Sequence, residues 1–131
     1  SDCSRDEIVN AYDNTILYTD MFLSKVIDVL KHNESAFETM MLYVSDHGES
    51  LGENGIYLHG APYLFAPEAQ TKIPLLAWQG AFNDVDEASL PAEAMAPHSH
   101  DDLFQTLLNF YEIEDPLVKP NQGLFKIIRH E

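Results

Sequence analysis

The sequence predicts an α/β fold, in which a mostly parallel sheet is flanked by helices. Three observations support this prediction: a long segment of helical periodicity, a short apolar run after it, and a second apolar run after a glycine-rich segment. A helix followed by a strand buried on both faces is typical of parallel sheets covered by helices. The chain has 131 residues, 45% of them apolar, which predicts one compact domain with a packed core and no second core.

The first predicted element is a helix from about residue 5 to 31. Ser4 and Glu7 have the spacing of a capping box, in which each satisfies a backbone N–H of the first turn. Beyond it the less polar residues recur every three or four positions as far as Leu30, with charged residues largely on the other side. This spacing predicts one apolar helix face.

Two strands are predicted on either side of a glycine-rich loop. Residues 40–44 form an apolar run that is too short for a helix and suits a buried strand. Four of the six glycines fall between Gly48 and Gly60, where they permit tight turns and close backbone approach. Residues 73–78 form the second strand, and Pro74 belongs at its start or on an edge because proline has no N–H to donate.

The last third of the chain predicts a connection, a helix and a short strand. Residues 79–98 are rich in Ala, Asp, Glu and Pro and are expected to form a surface connection. Ser99 and Asp102 can cap a helix over about residues 100–112. Its predicted apolar face consists of Leu103, Phe104, Leu107, Leu108 and Tyr111. Residues 123–128 are expected to add a terminal strand.

Charge and composition exclude several classes of protein. Seven Lys and Arg residues against 22 Asp and Glu residues give a net charge of −15, which opposes binding to nucleic acid or to an anionic membrane surface. No run approaches the roughly 18–20 apolar residues of a membrane-spanning helix, and the first residues do not form a signal peptide, so we expect no part of this chain to cross a bilayer. Cys3 is the single cysteine, which excludes an intrachain disulfide.

Asp46 and His47 follow directly after the first predicted strand. Ligands of open parallel sheets bind outside the carboxyl ends of the strands, and carboxylate and imidazole groups suit Zn²⁺ or another divalent metal. Neighbouring side chains on a strand point to opposite faces, so both can hold one metal only if the chain turns between them, which Gly48 allows. The alternative is that Asp46 caps a turn while His47 packs and bonds locally.

His59 ends the glycine-rich loop and could return to the same cavity as a further metal ligand or as a donor to a phosphate. A loop histidine is more often simply solvated. Glu49 and Glu53 could serve as bases or ligands, although acidic loop residues are usually exposed and unpaired.

Two other polar groups have a weaker claim to function. Ser45 and Ser50 lie in no nucleophile elbow, so a serine nucleophile is disfavoured. His98 and His100 stand beside two aspartates, but acidic residues are favoured in a first helical turn, which is the preferred interpretation of this cluster.

Two segments, NAYDNT at 10–15 and SDHGESLGENGIYLHG at 45–60, closely resemble the lipid A phosphoethanolamine transferases, a family that includes the colistin (polymyxin) resistance enzymes. The second motif is long and specific. Supporting similarity continues at Ala66-Pro67, Gln70-Thr71, 73–76 and 99–101, so that the likeness spans roughly residues 8–111.

The resemblance implies an alkaline-phosphatase/sulfatase-like catalytic domain in the periplasm, attached to an amino-terminal inner-membrane domain. Such enzymes move phosphoethanolamine from phosphatidylethanolamine to lipid A through a covalent intermediate on a threonine. By match of motif, Asp46 and His47 resemble the zinc ligands of the family. His59 resembles the histidine that contacts the phosphoryl group or a second zinc ion.

The resemblance also implies that parts of the site lie elsewhere. The nucleophilic threonine, a glutamate ligand and a further substrate-binding histidine all precede the family's NAYDNT segment, so this chain resembles the carboxyl-terminal portion of the catalytic domain, with no catalytic nucleophile of its own. Cys3 would then have its disulfide partner among upstream residues. Asp102 stands where the family has asparagine.

Two alternatives remain open from the sequence. Another member of the same superfamily, a phosphodiesterase, sulfatase or phosphoglycerol transferase, could place Asp-His-Gly after a core strand, although the GENGIYLHG continuation argues against it. The isolated chain could instead be an inactive fragment that binds metal weakly and self-associates through apolar surface.

Overall fold

A computed structural model describes residues 3–80, 84–119 and 122–128. The chain divides into two compact units, Ser1–Ala81 and Phe82–Glu131. The assignment of the whole chain to one domain stays a prediction. Among the described residues, the buried apolar side chains are Met41 in the first unit and Val85, Leu124 and Phe125 in the second.

Helix α1 spans Arg5–Asn33, which confirms the first predicted element. The predicted capping box is present: the Glu7 backbone N–H donates to Ser4 Oγ at 3.3 Å, and the Ser4 backbone N–H donates to the Glu7 carboxylate at 2.8 Å. Two hydrogen bonds hold the pKa of Glu7 below its ordinary value of 4.5, because both favour the ionised carboxylate. The larger effect comes from the Ser4 backbone N–H and the smaller from the Ser4 hydroxyl.

The apolar face of α1 is not buried in this structure. No residue of the helix is buried, and Leu17, Phe22 and Val29 each expose more than half of their surface. The first turns of the helix do contact other parts of unit 1, because Ile8, Ala11, Tyr12 and Thr15 line a cavity that is described below.

The two longer strands, β1 at Met40–Val44 and β4 at Leu75–Gln79, form a two-stranded sheet. They are antiparallel, with Met40 opposite Gln79 and Val44 opposite Leu75. The prediction of a mostly parallel sheet is therefore not met by the described residues. A parallel pair requires a crossover that returns the chain to the starting end of the sheet, whereas residues 45–74 form loops and short elements that return it at the same end.

Between these strands lies a short hairpin of β2, Ser50–Leu51, and β3, Tyr57–Leu58, which pair antiparallel. A turn over Glu53–Gly55 joins them, and both Asn54 (φ 53°) and Gly55 (φ 77°) are left-handed. Two successive left-handed residues match the right-handed twist of a hairpin, which is why Asn-Gly is favoured there. Helix α2, Glu68–Thr71, then leads into β4.

Unit 2 contains helix α3, Leu90–Glu93, and helix α4, Asp101–Phe110, so the predicted surface connection includes a short helix. The second predicted helix is confirmed. Ser99 precedes its cap residue, and the Ser99 backbone N–H donates to the Asp102 carboxylate at 2.8 Å.

The predicted apolar face of α4 is largely not the buried one. Phe104, Leu107 and Tyr111 are exposed, whereas Thr106 and Asn109 are buried. These two polar side chains are buried because they bind the backbone of the segment that follows the helix: the Leu124 backbone N–H donates to Thr106 Oγ1 at 2.8 Å, and Asn109 Nδ2 donates to the Gln122 carbonyl at 2.8 Å.

The terminal strand predicted at 123–128 is reduced to a single bridge between Val85 and Ile127 in the described part of the chain. Across residues 3–80, 84–119 and 122–128, no helix has both the length and the apolar character that crossing a bilayer requires.

Candidate metal centre

The segment that leaves β1 turns sharply at Asp46 and His47, which is the condition for these neighbouring side chains to share one metal ion. Ser45 Oγ donates to the His47 carbonyl at 2.8 Å, and the His47 backbone N–H donates to Asp46 Oδ1 at 3.0 Å. These local bonds bring the two side chains to the same side, with His47 Nε2 at 3.7 Å from Asp46 Oδ2. The Asp46 side chain is 88% exposed, so its carboxylate is accessible to an incoming ligand.

The glycine-rich loop returns His59 to His47. The centroids of the two imidazole rings lie 3.9 Å apart with an interplanar angle of 30°. The sequence prediction that the loop returns His59 to the neighbourhood of His47 therefore agrees with this geometry.

Glu49 joins the two histidines, although an acidic loop residue is expected to be exposed and unpaired. His59 Nδ1 lies 2.9 Å from Glu49 Oε2, and the Glu49 side chain is only 20% exposed. One ligand atom from each of His47, Glu49 and His59 lies within 4.8 Å of the others. Two imidazoles with a carboxylate, which can either bind the ion or orient a histidine that binds it, suit Zn²⁺ and therefore fit the metal that the resemblance implies.

The hairpin explains why Glu49 meets His59. Ser50 pairs with Leu58 and Leu51 with Tyr57, so that continuing the register by one residue places Glu49 opposite His59. The Asn54-Gly55 dipeptide at the turn is the sequence signal that could have predicted this hairpin and hence this pair.

Hydrogen bonds from Nδ1 orient both rings. His47 Nδ1 lies 2.9 Å from the Gly48 carbonyl, and His59 Nδ1 bonds Glu49 as described. When Nδ1 of a histidine donates to a carbonyl or carboxylate, Nε2 of the same ring presents its lone pair to a metal or a substrate. The structure therefore offers Nε2 of both rings as ligand atoms, with Glu49 suited to orient His59.

Other loop residues have structural roles. Glu53 lies in the hairpin turn, and its carboxylate accepts the Leu51 backbone N–H at 2.8 Å. Its own backbone N–H and that of Leu51 hold the pKa of Glu53 below its ordinary value of 4.5. His98 and His100 lie in unit 2, where His98 Nε2 bonds the Glu93 carbonyl at 2.8 Å.

A cavity of about 590 Å³ lies beside the cluster and shares Glu49 with it. Most of its wall is apolar or aromatic, and this volume lies within the range of ligand-binding pockets. The wall is formed by Cys3, Ile8, Ala11, Tyr12, Thr15, Glu49, Ser50, Leu51, Tyr57 and Leu58.

A comparison with protein families matches residues 1–113 to the model described as Sulfatase. The chain belongs to the sulfatase family. Within that family, two relatives from Escherichia coli are similar to it over most of its length. Phosphoethanolamine transferase EptA of strain K12 is 46% identical over 118 residues, covering 86% of this chain and 21% of EptA. Phosphatidylethanolamine transferase Mcr-1 is 41% identical over 124 residues, covering 95% of this chain and 22% of Mcr-1.

This sulfatase-family chain also resembles a solved structure, the soluble domain of lipooligosaccharide phosphoethanolamine transferase A from Neisseria meningitidis. The TM-score is 0.89 and the identity 39%, and the match covers 98% of this chain and 40% of the solved chain. The chain thus spans about a fifth of the length of the curated relatives that it matches.

Replacing Glu49 with glutamine is expected to weaken Zn²⁺ binding by about 10- to 100-fold, the effect typical of residues that orient a metal-binding histidine. Glutamine keeps the shape of the side chain but removes the charge that favours donation from His59 Nδ1. A Zn²⁺ titration followed by the His47 and His59 ring resonances would measure the change. Glu53→Gln makes the same change of charge in the same hairpin and serves as the control; an equal effect of both variants would contradict the orienting role.

Proposed function

We propose that this chain is the carboxyl-terminal portion of the catalytic domain of a zinc-dependent phosphoethanolamine transferase. The protein that contains it would transfer phosphoethanolamine from phosphatidylethanolamine to lipid A. The observation that carries the proposal is the convergence of His47, Glu49 and His59 at the end of β1. The names of EptA, Mcr-1 and the Neisseria enzyme support the class of group transferred.

In this proposal Asp46 and His47 hold Zn²⁺ together with ligands from other parts of the protein. The zinc ion would supply activation of the nucleophile and stabilisation of charge on the transferring phosphoryl group. The nucleophilic threonine would likewise come from outside this chain, so the 131-residue chain alone would lack the covalent step.

His59 would bind the phosphoryl group or a second zinc ion. Its Nδ1 contact with Glu49 at 2.9 Å fixes the ring, so that Nε2 faces the ligand. The apolar cavity that shares Glu49 suits a substrate with a polar headgroup and an apolar body.

The proposal also covers the location and the fold of the complete protein. The catalytic domain would lie on the periplasmic face of the inner membrane and reach the bilayer through an amino-terminal membrane domain. Further strands of the complete domain would pair with β1 and provide the mostly parallel sheet that the sequence predicts. The isolated chain would be prone to self-association, because α1 exposes apolar side chains such as Phe22.

The test is a transfer assay with the full-length protein that contains this chain. Phosphatidylethanolamine labelled in its headgroup is incubated with lipid A, and the label is expected to move to lipid A. Hydrolysis of the headgroup without transfer would instead support a phosphodiesterase of the same superfamily. The 131-residue chain is expected to show neither activity, and turnover by the chain at the rate of the full-length protein would contradict the proposal.

A further inference from the structure

Gln70, in helix α2, is a buried polar residue whose contacts point to a role in the metal centre. Only 7% of its surface is exposed. It lies outside the polar cluster itself, yet both its backbone and its side chain bind the two loop segments that carry the histidines.

Gln70 binds one peptide group beside each histidine. Its backbone carbonyl accepts the Gly48 N–H at 3.0 Å, which fixes the peptide that follows His47. Its side-chain Nε2 donates to the Leu58 carbonyl at 3.1 Å, which fixes the peptide that precedes His59. A single residue thus bonds both segments.

The remaining bonds of the Gln70 amide hold it in place. Nε2 also donates to Ser50 Oγ at 2.9 Å, and Oε1 accepts the Ala61 backbone N–H at 3.3 Å. Ser50 is almost fully buried, with 1% of its surface exposed, so its hydroxyl needs a partner inside the protein. Both hydrogens of the amide and its oxygen are therefore used, and a shorter or apolar side chain cannot replace them.

The backbone conformation of Leu58 depends on support from its hydrogen bond with Gln70. Its φ of 66° is left-handed, a conformation that a residue with a Cβ seldom adopts without support from its surroundings. The hydrogen bond from Gln70 holds the carbonyl of this strained residue, immediately before His59. Without that bond, we expect Leu58 to relax and His59 to move away from His47.

We propose that the Gln70 side chain is a positioning residue, which holds the His59 ring against His47 and so sets the distance between their Nε2 atoms. The inference concerns the same residues as the proposed function. It predicts a contact in the metal-free chain, however, so it can be tested without substrate or turnover.

The experiment compares the chain with Gln70→Met, which keeps the volume of the side chain and removes its hydrogen bonds. The nuclear Overhauser effect between ring protons of His47 and His59 reports their contact at 3.9 Å. This signal is expected to disappear in Gln70→Met, and Zn²⁺ titration followed by the same ring resonances is expected to show about 10- to 100-fold weaker binding. Far-UV circular dichroism of the whole variant, to which α1 contributes as the longest helix of the described residues, verifies that the variant is folded.

Gln105→Met is the matched control. Its amide also joins two backbone groups of a loop, the Leu117 carbonyl at 3.0 Å and the Lys119 N–H at 2.9 Å, but in unit 2. It is expected to lower stability while the signal between His47 and His59 persists. If the control also loses that signal, the effect is one of general destabilisation and the inference is wrong.

Gln70→Asn provides a second variant, which keeps the amide but is one methylene too short to reach Leu58. It is expected to lose the ring contact as well. A folded Gln70 variant that retains both the ring contact and the Zn²⁺ affinity would overturn the inference. Loss of all structure in unit 1 of both variants would also overturn it, because the amide would then stabilise the unit rather than the site. A wild-type protein without transferase activity would contradict the proposed function and leave this result unchanged.

Discussion

Gly48→Ala is expected to separate the two histidine segments and to abolish metal binding by the site. A Cβ on Gly48 would overlap the Ala69 carbonyl oxygen and lie 3.0 Å from the Ala69 carbonyl carbon. Both are backbone atoms of α2, so no side-chain rotation can relieve the clash. The Gly48 N–H bond to the Gln70 carbonyl, 3.0 Å long, would be lost as the segments move apart.

The cost to stability is expected to be about 1–3 kcal/mol, the range for overpacking at a site that cannot relax easily. Denaturant unfolding measures this cost, and the ring contact between His47 and His59 measures the effect on the site. Both are expected to change together, because the Gly48 contact is the point at which α2 approaches the segment that carries His47.

Gly55→Ala is the control for Gly48→Ala. Gly55 is left-handed at φ 77°, but a Cβ there would meet no atom within 4 Å. The substitution is expected to lower the free energy of unfolding by about 1–2 kcal/mol, the cost of a left-handed conformation alone, and to retain the contact between the His47 and His59 rings. If Gly48→Ala also retained the ring contact and the Zn²⁺ affinity, close packing of α2 would not be what shapes the site.

The placement of several candidate site residues could be predicted from the sequence, because these residues stand next to strong local signals. Asp46 and His47 follow a short apolar strand, and His59 closes a glycine-rich loop of limited length. The contact of Glu49 with His59 could not be predicted from residue type, since the sequence around an acidic loop residue does not show which side chain it will bind. Its role depends on the register of a hairpin, which the Asn54-Gly55 turn sets.

The fold was predicted well in its elements and poorly in its packing. Helix α1 and strand β1 have clear periodicity and end signals, so their bounds were close to those observed. The direction of β4 relative to β1 depends on how residues 45–74 return, and periodicity contains no information about that path. Thr106 is buried because it binds a distant backbone N–H, which hydrophobic patterning cannot detect.

His47→Ala in the full-length protein is expected to remove the bound zinc and to lower transfer by at least about 100-fold, the loss typical when one stabilising group of a transition state is removed. His47 is the residue that links Asp46, at 3.7 Å, with His59, whose ring lies 3.9 Å away. Its loss therefore disconnects Asp46, the other predicted metal ligand, from His59, the predicted phosphoryl-binding residue, whereas loss of Asp46 or of Glu49 leaves the contact between His47 and His59 intact.

Elemental analysis of zinc in four proteins tests this prediction: the 131-residue chain and a version extended upstream, each with and without His47→Ala. If upstream residues complete the site, zinc is expected at stoichiometric amounts only in the extended wild type. His32→Ala is the control, because His32 lies on α1 and bonds the Asp28 carbonyl of its own helix. Equal zinc in the extended wild type and its His47→Ala variant would show that the ion is held elsewhere, and the proposed role of the Asp46 and His47 pair would be wrong.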